Sequence, residues 1–110
     1  MTKEDVQKKV AKLQMSEQRL QSYAMQKQTF QGQLLEIENA LLESKDSEEV
    51  FKIYGQIMVK ADKEKLTKEL NDKKEILSKK ISEIEKQESK LREEVTPLQE
   101  ELMGSLNNEG

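Results

Sequence analysis

The chain has 110 residues, of which 34% are apolar, 4% aromatic and 37% charged, and it contains neither cysteine nor histidine. This composition excludes disulfides, thiol chemistry, Cys/His metal sites and the commonest general base, and it leaves too little apolar material for an ordinary compact core. The 19 basic and 22 acidic residues are interleaved and give a net charge of −3, a poor footprint for nucleic acid or an anionic membrane. The opening MTKEDVQKKV lacks the apolar run of a signal peptide. No apolar stretch approaches the roughly 18 residues of a membrane span, so neither export by that route nor membrane insertion is expected.

Glycine and proline, the strongest interruptions of a helix, are sparse: Gly32, Gly55, Gly104, Gly110 and Pro97. Long helices are therefore permitted. Over about 2–43, apolar residues recur at steps of four and three through Val6, Val10, Leu13, Leu20, Ala24, Phe30, Leu34, Ile37 and Leu41. That spacing predicts a first helix with a coiled-coil seam, Glu17 and Lys27 filling the remaining places. Between Ala24 and Phe30 two successive steps of three predict a stammer, which overwinds a helix pair locally.

The segment VFKIYGQIMVK, 50–60, is rich in β-branched and aromatic residues and is interrupted by Gly55. It reads as a hairpin with Gly55-Gln56 as a two-residue turn. Val50, Lys52, Tyr54, Ile57 and Val59 then share one face, and Phe51, Ile53, Met58 and Lys60 the other. An isolated two-stranded hairpin is marginal in water, and its apolar faces and open edges call for partners. Val50, Phe51, Ile53, Tyr54, Gly55, Ile57, Met58 and Val59 are accordingly the candidate oligomerisation residues. The alternative is a β-arc tucked against its own helices.

A second helix is predicted over about 63–103, capped by Asp62, with Glu64 well placed in its first turn. Its seam reads Leu66, Leu70, Lys74, Leu77, Ile81, Ile84, Glu88, Leu91, Val95, Leu98 and Leu102. Thr96-Pro97-Leu98-Gln99 spells an N-cap, a proline at the first helical position and a capping-box glutamine, so the helix either restarts there or tolerates a kink. Residues 104–110 are expected to form a flexible tail.

The two seams are near mirror images. Pairing Val6 with Leu102, Val10 with Leu98, Leu13 with Val95, Leu20 with Glu88 and Ala24 with Ile84 keeps a constant sum of position numbers, and Phe30 with Leu77, Ile37 with Leu70 and Leu41 with Leu66 shift it by one. This predicts an antiparallel pair within one chain, each helix about 60 Å long against a radius of gyration of about 13 Å for a compact domain of this size. The expected architecture is a single, mostly α domain over residues 1–110: a two-helix coiled-coil hairpin with a short β-hairpin at the bend. Each charged seam residue is expected to face an apolar one, covering it with its stem while its head reaches water.

This arrangement of Val50-Phe51-Lys52, Gly55 and Ile57-Met58-Val59-Lys60 between two heptad helices resembles the β-type subunits of prefoldin. Gln26-Lys27-Gln28 and Glu85-Lys86-Gln87-Glu88 support the resemblance, which covers nearly the whole chain. It implies an ATP-independent holdase chaperone in the cytoplasm, without cofactor, in a heterohexamer of two α-type and four β-type subunits joined through β-barrels. Other β-type copies, α-type subunits, unfolded client proteins and a group II chaperonin are the implied partners. Under that resemblance the client-binding tip comprises Val6, Val10, Leu13, Met15, Leu98, Leu102, Met103 and Leu106, where fraying exposes seam residues and methionine adapts to irregular surfaces.

Catalysis finds no support in the sequence. The glycines are scattered, with no Gly-rich run before a Lys-Ser or Lys-Thr pair. Glu93-Glu94 and Glu100-Glu101 read as solvated helix faces, since adjacent helical residues point about 100° apart. A structural or tethering coiled coil is the alternative to a chaperone subunit, but it has no need of an apolar hairpin at its bend.

Overall fold

The computed structural model describes residues 2–109, with side chains through residue 105. The element order is α1 (Lys3–Ser44), β1 (Val50–Tyr54), β2 (Ile57–Ala61) and α2 (Lys63–Glu109). The chain separates into two compact units, Met1–Lys27 with Glu83–Gly110, and Gln28–Ser82.

Both helix starts are built by side chains that satisfy otherwise unpaired backbone N–H groups. The Asp5 amide donates to Thr2 Oγ1 at 3.2 Å, and the Thr2 amide donates to Asp5 Oδ2 at 3.4 Å. This is a capping box with aspartate in the place of glutamate. Hydrogen bonding to the Asp5 carboxyl from the Thr2 side chain and then from its backbone amide holds that carboxyl below its ordinary pKa. At α2 the Glu64 and Lys65 amides donate to Asp62 Oδ1 at 3.0 and 3.3 Å, as its sequence predicts.

In the unit holding the chain ends, the helices run antiparallel: Lys9 bonds Glu101 and Lys27 bonds Glu88, so rising numbers on α1 meet falling numbers on α2. Leu91, Val95, Leu102 and Ile84 form the buried α2 side of the seam. On α1 the shielded residues are Val6, Lys9, Leu13, Ser16, Leu20, Tyr23 and Lys27. The expected seam residues Val10, Glu17 and Ala24 are instead exposed, and Lys9, Ser16 and Tyr23 take their places.

That substitution removes the stammer. The shielded positions of α1 continue through Phe30, Leu34, Ile37 and Leu41 in unbroken alternation of three and four, the ordinary left-handed heptad. The apolar character of Val10 and Ala24 had drawn the seam one residue off its row. Lysine and tyrosine can occupy such a row because their apolar bodies pack while their polar ends reach outward.

In the second unit, Phe30, Leu34, Ile37 and Leu41 of α1 and Leu66, Leu70, Leu77 and Ile81 of α2 are shielded. Lys80 places its ammonium 5.4 Å from the Phe30 ring centroid, and Lys74 pairs with Glu38 at 3.9 Å, again in antiparallel order. The strands form one antiparallel sheet, with Val50 opposite Ala61, Lys52 opposite Val59, Ile53 opposite Met58 and Tyr54 opposite Ile57. The two faces are those expected from the sequence. Gly55 has φ of +60° while Gln56 is not among the residues of positive φ, which makes a type II′ turn with glycine where it is required.

For α2, one open alternative is decided and one expectation is corrected. The helix runs through Pro97 without a break, and the Thr96 hydroxyl donates back to the Arg92 carbonyl at 3.0 Å instead of capping a new helix. It also continues past Met103 to Glu109. Gly104 is not among the residues of positive φ, so it supplies no left-handed stop, and one glycine inside a helix costs only about 1 kcal/mol.

Candidate interaction surfaces

The hairpin is braced against the helices of its own unit. Lys52 on β1 bonds Glu69 on α2, and this contact raises the lysine pKa and lowers that of the carboxyl. The first residue of α2, Lys63, donates its ammonium to the carbonyls of Lys45 at 2.9 Å and Ser47 at 2.7 Å. Helix α1 has no basic residue in its last turn, so Lys63 supplies the cation just beyond its end. At the base of the hairpin Lys60 pairs with Glu49 at 3.3 Å.

Of the candidate oligomerisation residues, Val50 is buried, whereas Ile53, Tyr54, Ile57 and Met58 are between 61% and 69% exposed. Phe51 and Val59 are about half exposed, at 47% and 45%. Phe51, Ile53 and Met58 flank an open groove of about 320 Å³ whose other walls include Ala40, Leu66 and Leu70. So much exposed apolar surface is unusual on a short two-stranded sheet standing by itself.

The residues expected at the client-binding tip fall into three groups. Val10, Met15 and Met103 are exposed; Val6, Leu13 and Leu98 are half-buried; Leu102 is buried in the seam. The Leu106 side chain lies outside the described residues. No apolar signature in the sequence marks Lys9, Ser16 and Tyr23 as seam residues, and none marks the Lys52–Glu69 brace or the Lys63 clamp. Glu88, expected opposite Leu20 with its head in water, is instead buried and its carboxylate bonds Lys27 at 2.7 Å.

Two seam-bearing helices joined by a single β-hairpin with exposed apolar faces define a coiled-coil hairpin subunit. The chain belongs to the prefoldin family: the family model described as prefoldin subunit matches residues 7–109. The prefoldin subunit beta of Archaeoglobus fulgidus is 38% identical over 105 residues, covering 93% of this chain and 90% of the relative. That of Saccharolobus islandicus is 36% identical over 102 residues, covering 89% and 80%. The crystal structure of the prefoldin beta subunit from Thermococcus strain KS-1 superposes with a TM-score of 0.83 at 33% identity, covering 93% of this chain and 92% of that one. Prefoldins are chaperone subunits that work in complexes with other subunits, not a known enzyme family. No helix among the described residues is long and apolar enough to cross a membrane.

Proposed function

We propose that the chain is a β-type subunit of a cytoplasmic, nucleotide-independent holdase that assembles as two α-type and four β-type subunits through β-barrels made from their hairpins. It captures unfolded proteins with the ends of its helices and passes them to a group II chaperonin. The observation that carries this reading is that exposed apolar side chains occur in both compact units: on the hairpin in one, and at Val10, Met15 and Met103 in the other. Assembly and capture thus have separate surfaces.

Capture through Leu102 requires the helices to part, because that side chain is buried in the seam. Val10, Met15 and Met103 need no opening and make the first contact. Burial of ~200 Å² of apolar surface at one tip gains about 5 kcal/mol before ordering costs, so one contact is weak. Several tethered tips act together by effective concentration, which holds a client without fuel and permits stepwise release.

The test replaces Val10, Met15 and Met103 with serine, exposed positions whose change leaves the seam closed. The hexamer formed with α-type subunits should keep its mass but suppress aggregation of a chemically denatured protein less well, without nucleotide. Full suppression by the serine variant overturns tip capture. No suppression by the unmodified hexamer favours a tethering coiled coil.

A further inference from the structure

Glu88 is the one charged side chain among the described residues that is buried, with 3% of its surface exposed. Its Oε1 accepts a hydrogen bond from Lys27 Nζ at 2.7 Å across the helix pair, and its Oε2 lies 3.9 Å from the Arg92 guanidinium on its own helix. No buried side-chain nitrogen or oxygen among the described residues lacks a partner, so the carboxylate leaves no buried oxygen orphaned.

A buried ion pair adds little net stability over a well-packed apolar pair, but any arrangement that buries one partner alone is heavily penalised. The rest of the α1 row that carries Lys27 discriminates poorly. On α1 the row that contains Lys27 reads Val6, Leu13, Leu20, Lys27, Leu34, Leu41 at intervals of seven. A shift by one heptad therefore exchanges one aliphatic residue for another in most layers of this row, and puts Leu20 or Leu34 in the place that Lys27 holds against Glu88. Pairing between two copies has a similar defect: α1 against α1 in register sets Lys27 beside Lys27, and α2 against α2 sets Glu88 beside Glu88.

We propose that the Lys27–Glu88 pair is a registry key, a buried ionic layer that selects the intrachain pairing of α1 with α2 over heptad-shifted pairings and over helix exchange between copies. Its value is largest in an assembly that brings several similar helix pairs together. Lys9–Glu101, at the other ion-paired layer of this unit, is far more exposed, with the Glu101 side chain 53% accessible, and so discriminates less.

Absence of native cysteine makes the test direct. In the otherwise unchanged full chain, Ser16→Cys with Val95→Cys, buried positions lying between the Lys9–Glu101 and Lys27–Glu88 pairs, reports the native register, and Tyr23→Cys with Val95→Cys reports a one-heptad shift; interchain products separate by mass. In a Lys27→Leu/Glu88→Leu background, shifted and interchain crosslinks should rise at least about tenfold while the melting temperature does not fall. The charge-reversed Lys27→Glu/Glu88→Lys background should retain the single intrachain product, which keeps the test decisive if the leucine variant fails to fold. Retention of the native crosslink alone in the leucine background, or mixed crosslinks in the charge-reversed one, overturns the proposal.

Discussion

Lys52 in β1 and Glu69 in α2 form an ion pair that ties the hairpin to the helix following it, and each partner shifts the other's titration in the direction of the charged form. The Glu69 carboxyl is depressed below its ordinary 4.5, so its contribution is present above that value and is lost as pH falls through the lower, folded value. The Lys52 contribution is present below its ordinary 10.5 and is lost only as pH rises through the higher, folded value. Glu69→Gln should speed amide exchange across residues 50–61 at neutral pH and abolish the acid sensitivity of that exchange. Circular dichroism should be unchanged. Identical exchange in the variant and the unmodified chain would mean that the brace does not hold the hairpin.

Two glycines should respond oppositely to alanine. Gly32 lies inside α1 with open space around the position of a Cβ, so Gly32→Ala should stabilise the chain by about 1 kcal/mol. Gly55 holds φ at +60° in the turn, so Gly55→Ala should weaken the hairpin by about 1 kcal/mol despite equally open surroundings. Thermal melts monitored by helicity for the first, and by hairpin amide exchange for the second, check both signs.

The corrected seam separates positions that hydropathy alone would rank the other way. Val10→Gln changes an exposed side chain and should shift stability by no more than about 0.5 kcal/mol. Leu91→Ala empties a buried seam position and should cost about 2–4 kcal/mol. Ser16→Leu puts an aliphatic side chain at a shielded place opposite the buried α2 row and should raise stability by about 1–2 kcal/mol. A Val10→Gln loss as large as that of Leu91→Ala would return Val10 to the seam.

Phe51→Asp or Ile53→Asp should dissolve the assembly while leaving helicity largely intact, since an aspartate there would meet an apolar partner surface and neither residue belongs to the seam. Sedimentation of each variant mixed with α-type subunits checks this. An intact hexamer would remove the hairpin from the assembly interface.

The hairpin was legible because its determinants are local: β-branched and aromatic residues on either side of a glycine that alone tolerates positive φ. The α2 seam was legible because its buried places are mostly leucine, isoleucine and valine. The α1 seam was misread in its first half because a partner's geometry, not hydropathy, decides which row is covered, and Lys9, Ser16 and Tyr23 carry no apolar signature. Glu88 escaped for the same reason, its burial being made possible by Lys27 on another element. The end of α2 was misplaced because Gly104 looks like a stop but has no left-handed conformation to enforce one.

Pro97 gives α2 a mechanical property that its unbroken course conceals. Proline has no N–H to offer the Glu93 carbonyl, so one rung of the helix ladder is absent while the turns on either side keep theirs. A column with one missing rung bends there at lower cost than elsewhere. The turns beyond, which carry Leu98, Leu102 and Met103, therefore ride on a compliant joint and can tilt to follow the contour of a surface without unwinding.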